Sequence, residues 1–531
     1  MRLRSCLALA YLLLAIVSPT VMYYLANSVF SVFLPVFLVS QVCALTLVVA
    51  LLRRRSVVGV FLLVGAVPAL CHWGHYSLYQ YELTGGAIAA MLATNTSEAG
   101  EFLTLLSPAF ILAALLGIGL LILAYRQLPH EFPRSRRGLA LLLALSCLAP
   151  LVKLTSTRDL RAVFDETLLK SHPLKTYVAF WKGHRLLTDF REKLAAEVLQ
   201  DLPISVTGPQ DEALHVLVIG ESARRKNFQL YGYPRDTNAF TKPWHDEFLI
   251  FQDVVAAANS TIPSLIETLT YHDEKGAVGL LSLAQKAGYH TVWLSNQAKY
   301  GAFDNPVTAL ASRAQVVSYT NTDTAASSYD DKLIPLLKDA LAQNKKRQLV
   351  VLHLMGSHFY YNRRYPPDFQ RFSDLGAELR ARYQTQRWEI VNEYDASILY
   401  TDYVLSEVLK LVSKTKRPAT VLFFSDHGEN LFEDSEVMGH GGMKLTRAEV
   451  EVPMLLWTSK AFTHRNLFPA VLRGALAAPV SLVDFLPSYL RLLGVSVDLP
   501  GKSDFFSPSR DRKPRLILNP GLEKVLYEDL P

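Results

Sequence analysis

Five apolar runs in the first third of the chain constrain its fold more than any other feature. They lie at Ser5 to Tyr24, Val29 to Leu52, Ser56 to Trp73, Phe102 to Tyr125 and Gly138 to Val152. Most of them approach the roughly 20 residues that cross the hydrocarbon of a bilayer as a helix. The mean hydropathy of +0.17 and the 50% share of hydrophobic residues argue against disorder and against an ordinary soluble enzyme. The sequence therefore predicts a membrane domain of five helices over residues 1–157.

Arginine clusters predict how these helices are oriented, because cytoplasmic loops carry an excess of Lys and Arg. Arg53, Arg54 and Arg55 follow the second run, and a further cluster follows the fourth run, at Arg126, Arg134, Arg136 and Arg137. With the N-terminus in the cytoplasm, both clusters fall on the cytoplasmic side and the chain after residue 157 lies outside. The first run begins like a signal peptide but lacks an A-x-A-like site, so we expect it to be retained. If the short fifth run lay on the membrane surface instead, the large domain would be cytoplasmic.

The composition of the remaining chain indicates where the chemistry lies. Residues 1–157 hold ten basic and four acidic residues and so carry the whole net charge of +6, leaving 44 of each sign after them. Eleven of the 14 histidines follow residue 157, whereas all four cysteines precede it. The second part can therefore form no disulfide and no thiolate metal site. It also has no basic stripe interleaved with aromatic residues, so we expect no nucleic-acid binding.

The second part reads as an α/β domain, 209–531, that follows an amphipathic bridging segment, 158–208. Its short apolar runs predict strands at His215 to Ile219, Phe248 to Val255, Thr291 to Leu294, Leu349 to Leu354, Thr420 to Phe424 and Pro453 to Trp457. Helical patterns separate them, at Gly276 to Ala287, Asp331 to Ala342, Ile390 to Leu411 and Leu482 to Leu493. This alternation predicts a mostly parallel sheet with helices on both faces.

Polar residues follow three of these strands directly, at the sheet edge where such domains bind ligands. Glu221 follows the first strand, His358 follows the fourth, and Asp426 and His427 follow the fifth. Carboxylates and imidazoles at one edge can converge on a single cation, and Glu221, Asp426 and His427 form a set that suits Zn²⁺. Each residue alone also has a structural explanation, as a charge at a helix start or as part of a turn.

A hydroxyl for nucleophilic chemistry is available after the second strand. Ser260 and Thr261 precede a probable helix with Pro263 in its first turn, where Pro is preferred. Either hydroxyl could complete the coordination of a zinc ion, which would lower its pKa enough for it to act as a nucleophile. Ser and Thr are also the commonest N-caps of helices, so a capping role is the alternative.

Several longer motifs, in order along the chain, give the sequence a family resemblance. They are Gly220-Glu221-Ser222, Tyr231-Gly232-Tyr233-Pro234-Arg235 with Thr237, Trp293-Leu294-Ser295-Asn296-Gln297, His353-Leu354-Met355-Gly356-Ser357-His358 with Arg364-Tyr365-Pro366, Tyr394-Asp395 with Leu399-Tyr400, and Phe424-Ser425-Asp426-His427-Gly428-Glu429. With them the sequence resembles the membrane-anchored phosphoethanolamine transferases of Gram-negative envelopes, within the alkaline phosphatase/sulfatase superfamily. The resemblance covers nearly the whole chain and implies a sulfatase-like α/β domain in the periplasm, anchored in the inner membrane.

The resemblance also implies roles for single residues. Glu221, Asp426, His427 and a threonine would hold Zn²⁺, and the threonine would carry a phosphoethanolamine group from phosphatidylethanolamine to a glycan hydroxyl. His358 and His440 are similar to the family histidines that meet the phosphoryl group or a second zinc. Asn296 belongs to a shared motif and is expected to contact substrate. Glu98 is similar to an acidic residue of the family's membrane-side motif, where it would meet the donor's ammonium, although a solvated loop charge is the alternative.

The chain departs from the family members that modify lipid A in two ways. It lacks the cysteines that form disulfides in their catalytic domain, and Ala258 stands where their nucleophile motif has threonine. The cysteine-free pattern is closer to relatives that modify core sugars or other periplasmic glycans. We therefore predict Thr261 as the nucleophile, with Ser260 as the second choice.

Two alternative functions stay open at this stage. The same zinc and threonine chemistry would serve transfer of phosphoglycerol from phosphatidylglycerol, and the donor headgroup decides between the two. A non-catalytic envelope scaffold or lipid-binding protein with the same fold is the alternative from another class. Sulfatase activity is not expected, because the chain has no Cys-x-Pro-x-Arg or Ser-x-Pro-x-Arg sequence to mature into a formylglycine.

Overall fold

The computed structural model of the protein divides into two units. The first comprises Met1–Ile88 and Phe102–Gly183, and the second comprises Ala89–Glu101 and His184–Pro531. The structure describes residues 3–26, 33–79, 82–94, 100, 107–132, 135–164, 167, 171–196, 202–206, 212–298, 306–321, 328–383, 385–433, 438–441, 445–465, 476–506 and 514–530.

The first unit contains the five predicted membrane helices. The segments long and apolar enough to span a bilayer are Leu3–Met22, Leu34–Leu52, Arg55–Ser77, Pro108–Arg126 and Arg136–Thr157. The fifth, whose apolar run is short, consists of two consecutive helices, Arg136–Ser146 and Leu148–Thr157, that meet at Cys147. Its 22 residues reach spanning length, so the prediction of five spans is confirmed.

The helix bounds of this region are Leu3–Ala26, Phe33–Leu52, Arg55–Tyr79, Gly85–Ala93, Pro108–Arg126, Arg136–Ser146, Leu148–Thr157, Leu160–Phe164 and Leu174–Ala196. The helix over Pro108–Arg126 buries no residue. It exposes Leu112, Leu115 and Leu116 by about 60% each, a surface that suits lipid chains and not water.

The turns after the second and fourth spans lie together at one end of the first unit. The Phe132 amide donates to the Arg53 carbonyl at 2.9 Å, and the Arg55 amide donates to the His130 carbonyl at 3.0 Å. The Arg53 guanidinium and the Glu131 carboxylate form an exposed ion pair at 2.8 Å. Arg53, Arg54 and Arg55 flank one turn, and Arg126, Arg136 and Arg137 flank the other. These described arginines therefore share one side, as the charge distribution predicts.

The second unit is built on a seven-stranded sheet. Its strands, in chain order, are β1 Ala213–Gly220, β2 Phe248–Phe251, β3 His290–Ala298, β4 Val316–Asn321, β5 Arg347–His353, β6 Ala419–Ser425 and β7 Met454–Thr458. Their spatial order is β2-β7-β6-β1-β5-β3-β4. Strands β6, β1, β5, β3 and β4 pair in parallel, and β7 is antiparallel to both of its neighbours. The predicted mostly parallel sheet is therefore confirmed.

The sheet is covered on both faces, which explains the continuous apolar runs of its strands. Leu217 and Ile219 of β1 belong to one buried cluster, whereas Val216 and Val218 belong to another. The helices of this unit after residue 196 are Thr261–Leu269, Leu280–Lys286, Pro306–Ala311, Leu333–Ala342, Gly376–Arg380, Trp388–Lys414, Arg447–Val450, Lys460–Arg465 and Phe485–Leu492. Short two-stranded pairs join Ile204–Val206 to Val495–Val497, Val254–Val255 to Val480–Ser481, Thr270–His272 to Ala277–Gly279, Asn430–Leu431 to Met438–Gly439, and Leu516–Leu518 to Lys524–Leu526.

Two local predictions differ from the structure, and one strand was not predicted. The run predicted as one strand from Phe248 to Val255 breaks after Phe251, because the Gln252 amide turns away to donate to the Leu476 carbonyl. The predicted helix Gly276 to Ala287 begins instead with a short strand at Ala277–Gly279. Strand β4 was not predicted, because Ser318, Tyr319 and Thr320 interrupt its apolar run at the sheet edge.

Candidate active site

The register of the sheet brings the predicted metal ligands together. Gly220, the last residue of β1, pairs with Ser425, the last residue of β6, so Glu221 and Asp426 follow at the same level of the edge. Potential ligand atoms of Glu221, Asp426 and His427 all lie within 4.8 Å of one another. His427 Nε2 lies 3.1 Å from Glu221 Oε1 and 3.6 Å from Asp426 Oδ2. All three side chains are at most 1% exposed.

Thr261 completes this cluster from the start of a helix. It is the first residue of helix Thr261–Leu269, whose N-cap is Ser260. The Thr261 hydroxyl donates to Glu221 Oε2 at 3.1 Å and lies 3.3 Å from His427 Nε2. The Ser260 hydroxyl makes no capping hydrogen bond to the helix. The structure thus brings the Thr261 hydroxyl into contact with the carboxylate and the imidazole.

The cluster has the ligand atoms of a cation site and buried negative charge that a cation could neutralise. Two fully buried carboxylates lie against one imidazole, and the nearby hydroxyl is a neutral oxygen donor. Asp426 Oδ2 is buried and has no hydrogen-bond partner within the described part of the chain. A buried carboxylate oxygen without a partner is costly unless a cation meets it. Two carboxylate oxygens, one imidazole nitrogen and one hydroxyl are a ligand set that Zn²⁺ accepts.

The pKa values of Glu221, Asp426 and His427 are shifted by burial and by their charges on one another. Burial opposes the ionisation of Glu221, but the imidazoles around it outweigh burial and hold its pKa well below the ordinary value. Burial and the adjacent Glu221 carboxylate raise the pKa of Asp426. Burial disfavours the His427 imidazolium, yet the two carboxylates raise its pKa to about 10. A proton on His427 thus offsets negative charge that a divalent cation could neutralise instead.

The backbone around the cluster is held in uncommon conformations. Ser222 has a φ of 54°, and its amide donates to Asp426 Oδ1 at 3.2 Å while its hydroxyl donates to Glu221 Oε1 at 2.9 Å. Gly356 has a φ of 52°, and a Cβ there would lie 2.8 Å from the Glu221 backbone. A Cβ on Gly428 would lie 2.2 Å from the Ala448 carbonyl oxygen. These close approaches fix the positions of Glu221 and of the turn after His427.

The two further histidines lie beside the cluster. The rings of His440 and His427 have centroids 4.1 Å apart, and His440 Nδ1 lies 3.2 Å from the buried Glu429 carboxylate. His358 is half-buried, and its charge contributes to the lowered pKa of Glu221. The His358 carbonyl accepts from Arg364 Nε at 3.0 Å, which anchors the loop that carries this histidine.

The Asn296 side chain contacts a neighbouring loop. The Asn296 side chain is fully buried and donates to the Ser328 carbonyl and to Asp330 Oδ1, each at 2.8 Å, so it supports the neighbouring loop. The adjacent Gln297 instead reaches the cluster, with its Nε2 3.5 Å from Glu221 Oε2 and 2.9 Å from the Leu354 carbonyl oxygen. Successive side chains of a strand point in opposite directions, and the motif did not reveal which of the two faces the site. Glu98 lies outside the described residues.

Other motif residues support the loop after β1. The buried Asp395 carboxylate accepts hydrogen bonds from Asn227 Nδ2 at 2.6 Å, the Tyr233 hydroxyl at 2.7 Å and Arg235 Nη1 at 2.7 Å. The Tyr394 hydroxyl donates to the Ser222 carbonyl at 2.6 Å. The sequence motif shared by these residues thus has a structural function, since it ties the loop carrying Glu221 to helix Trp388–Lys414.

Comparison with known families agrees with this fold and site. The sequence model of the sulfatase family, described as "Sulfatase", matches residues 214–495, which is more than half of the chain. The chain therefore belongs to the sulfatase family.

Similarity to characterised relatives extends into the membrane domain. Phosphoethanolamine transferase EptC of Escherichia coli (strain K12) is 28% identical over 510 residues, covering 90% of this chain and 86% of that protein. Phosphoethanolamine transferase EptA of Salmonella typhimurium (strain LT2) is 28% identical over 477 residues, covering 83% and 82%. Within the sulfatase family, the chain belongs to the phosphoethanolamine transferase group that these relatives represent.

Solved structures of phosphoethanolamine transferases share the fold of this chain. The C-terminal periplasmic domain of Escherichia coli EptC in complex with Zn is 26% identical, with a TM-score of 0.56, and the match covers 62% of this chain and 96% of that domain. The integral membrane transferase EptA of Neisseria meningitidis shares the fold over 92% of this chain and 95% of its own, with a TM-score of 0.70 and 20% identity. The chain is thus a multi-pass membrane protein whose second unit has the fold of the periplasmic EptC domain.

Proposed function

We propose that the protein transfers phosphoethanolamine from phosphatidylethanolamine to an envelope glycan, through a phosphoethanolamine group carried on Thr261. The observation that carries the proposal is the position of the Thr261 hydroxyl, within 3.3 Å of both a buried carboxylate and a buried imidazole. The similarity to phosphoethanolamine transferases over most of the chain supports the transferred group. The catalytic part would be residues 209–531, linked by the segment 158–208 to the membrane domain 1–157.

The metal of this reaction would be Zn²⁺, held by Glu221, Thr261, Asp426 and His427. Asp426 Oδ2 has no hydrogen-bond partner among the residues that the structure describes, and the donor atoms lie close together. Both observations support this assignment. When bound, zinc supplies positive charge that lowers the pKa of the threonine hydroxyl and offsets negative charge on the phosphoryl group.

In the first half of the reaction, the Thr261 oxygen attacks the phosphorus of the lipid. The new Oγ–P bond replaces the bond from phosphorus to the diacylglycerol oxygen, so diacylglycerol leaves with a proton and the phosphoethanolamine group stays on Thr261. Thr261 is at the start of a helix, where backbone N–H groups favour the charge of an incoming phosphoryl group. In the second half, an acceptor hydroxyl attacks the same phosphorus, the Thr261 Oγ–P bond breaks, and the proton of the acceptor hydroxyl passes to the released Thr261 oxygen.

His440 and His358 would serve the phosphoryl group and the leaving oxygen. His440 contacts the buried Glu429 carboxylate, which would orient the imidazole toward the departing alkoxide, where it could act as the general acid. His358 would neutralise phosphoryl oxygens from its loop after β5. Gln297 is an additional substrate contact in this proposal, whereas Asn296 would act indirectly by supporting its loop. Glu98 would meet the ammonium of the donor.

The acceptor would be the lipopolysaccharide core, lipid A or a periplasmic glucan. Mass spectrometry of these glycans, prepared from cells with and without the protein, tests the proposal. We expect a phosphoethanolamine increment on one glycan that is lost in cells expressing Thr261→Ala. An unchanged glycan profile in all three preparations would contradict the assignment. In a parallel assay with headgroup-labelled lipids, label from phosphatidylglycerol but not from phosphatidylethanolamine would indicate phosphoglycerol transfer instead.

A further inference from the structure

A second group of polar side chains is buried in the first unit. His72 lies in the span Arg55–Ser77, and His172 lies just before helix Leu174–Ala196. Their rings meet edge to face with centroids 4.6 Å apart, and the two residues are 0% and 3% exposed. Lys175 and Glu82 form an ion pair beside them, with the Glu82 side chain 6% exposed. This group shares no residue with the catalytic cluster.

Four polar atoms of this group lack a hydrogen-bond partner among the described residues. They are His72 Nδ1, His72 Nε2, His172 Nε2 and Glu82 Oε1, each buried and without a hydrogen bond to any part of the chain that the structure describes. The remaining His172 nitrogen, Nδ1, lies 3.0 Å from Thr176 Oγ1. Buried polar groups are almost always hydrogen-bonded, since an unmet one costs about 1–3 kcal/mol. Four such atoms in one place indicate that a polar ligand belongs there.

The charges of the group indicate the chemistry of that ligand. The Lys175 ammonium disfavours a metal cation at the imidazoles, and it attracts an anion such as a phosphate. Imidazole N–H groups are further donors for phosphate oxygens. Burial and the charges of His72 and Lys175 lower the pKa of His172, so it is neutral and keeps one N–H donor. In contrast to these donors, Glu82 Oε1 is a carboxylate acceptor, which suits an ammonium group.

The group lies toward the outer ends of the membrane spans. The His172 amide donates to Thr20 Oγ1 at 3.3 Å, and Thr20 is close to the outer end of the first span when the N-terminus is cytoplasmic. His72 is likewise near the outer end of its own span. Trp73 Nε1 donates to Ser18 Oγ at 2.9 Å at the same level, and tryptophan is typical of a membrane interface. The ligand is therefore expected from the outer leaflet.

We propose that His72, Glu82, His172 and Lys175 bind the headgroup of an aminophospholipid, with Lys175 and the imidazoles on the phosphate and Glu82 on the ammonium. This inference rests on the proposed function, because phosphatidylethanolamine is the donor proposed there. It adds a binding site for that lipid within the membrane domain. The ion pair between Glu82 and Lys175 uses Glu82 Oε2, so Oε1 stays available for the ligand.

Native mass spectrometry of the full chain in detergent tests this site. The protein is offered phosphatidylethanolamine or phosphatidylglycerol with the same acyl chains. We expect the parent protein to prefer phosphatidylethanolamine by about tenfold, Glu82→Gln to lose that preference, and Lys175→Met to bind both lipids more weakly. Glu131→Gln, which removes an exposed carboxylate paired with Arg53, is the matched control and should behave like the parent. Unchanged lipid preference in Glu82→Gln and Lys175→Met would overturn the proposal.

A second measurement removes dependence on the folding of the variants. Soluble glycerophosphoethanolamine should displace phosphatidylethanolamine from the parent protein, whereas glycerophosphoglycerol should not. Equal displacement by both, or by neither, would contradict recognition of the headgroup. Thr261→Ala separates this site from the proposed reaction, because we expect it to bind the lipid normally without forming a covalent intermediate. Selective lipid binding without any intermediate in the parent would leave the site standing and contradict the reaction.

Discussion

The Thr261 hydroxyl oxygen lies 3.1 Å from Glu221 Oε2, although the two residues are 40 positions apart in the sequence. Glu221 follows the central strand β1, and Thr261 begins a helix, so one sheet edge and one helix start meet at this point. The contact joins a potential nucleophile to a potential metal ligand.

Thr261→Ala should reduce phosphoethanolamine transfer by about 10³-fold or more, because it removes the attacking oxygen while the fold is kept. Ser260→Ala is the matched control, since its hydroxyl makes no capping bond, and it should keep most of the activity. Transfer of labelled headgroup from phosphatidylethanolamine measures both variants. The opposite pattern, with Ser260→Ala inactive and Thr261→Ala active, would assign the reaction to the other hydroxyl.

Asp426→Asn and Glu221→Gln should each lose tightly bound zinc, because each removes one anionic ligand from the buried cluster. Elemental analysis of the purified protein should find zinc in the parent and in the surface variant Asp236→Asn, but not in the two site variants. Zinc at a free concentration of 100 times its Kd should stabilise the parent by about 2.7 kcal/mol relative to the chelated protein. Equal zinc content in all four proteins would refute the ligand assignment.

Arg235→Ala should lower the free energy of unfolding of the catalytic domain by about 3–5 kcal/mol, because it leaves the fully buried Asp395 carboxylate without its cation. Arg382→Ala, which breaks an exposed i,i+4 pair with Glu378, should cost less than about 0.5 kcal/mol. Chemical denaturation followed by tryptophan fluorescence compares the two. A loss for Arg235→Ala as small as that of the control would show that the buried pair is dispensable.

Asp402 should make the domain less stable as pH rises from about 4 to 6. Burial raises the pKa of this carboxyl to about 6 in the folded state, above the ordinary value of about 3.9. The folded state then binds more protons than the unfolded state in this window, so raising pH costs about 3 kcal/mol. Asp402→Asn should flatten this pH dependence. It should also lower the free energy of unfolding at pH 4, because the one side-chain oxygen of Asn cannot replace both carboxyl oxygens, which accept from Asn238 and from the Phe240 and Thr241 amides. An unchanged difference between parent and variant across the window would contradict the raised pKa.

The sequence was sufficient to predict the membrane spans and the proximity of Glu221, Asp426 and His427, because both rest on strong local signals. Hydropathy identifies a span without knowledge of its neighbours. Glu221 and Asp426 follow unbroken apolar strands, and parallel strands of one sheet must end at a common edge. Strand β4 escaped prediction because edge strands need no continuous apolar run.

Side-chain direction and long-range packing could not be predicted from the sequence. Whether Asn296 or Gln297 faces the cluster depends on the phase of β3, and its register is irregular between Ser295 and Ala298. The contact of His172 with His72 joins residues 100 apart in sequence, and no motif marked either of them. The choice of Thr261 over Ser260 likewise depends on the exact start of a helix, which patterns locate only to within a few residues.

The central claim is that Thr261 carries the phosphoethanolamine group during transfer. The most direct measurement is peptide mass spectrometry of the full-length protein after incubation with phosphatidylethanolamine in the absence of a glycan acceptor. We expect the peptide containing Thr261 to gain the mass of one phosphoethanolamine group, with fragment ions placing it on that residue, and we expect added acceptor to remove it. A peptide that stays unmodified while transfer to the acceptor proceeds, or a modification on any other residue, would refute the proposed role of Thr261.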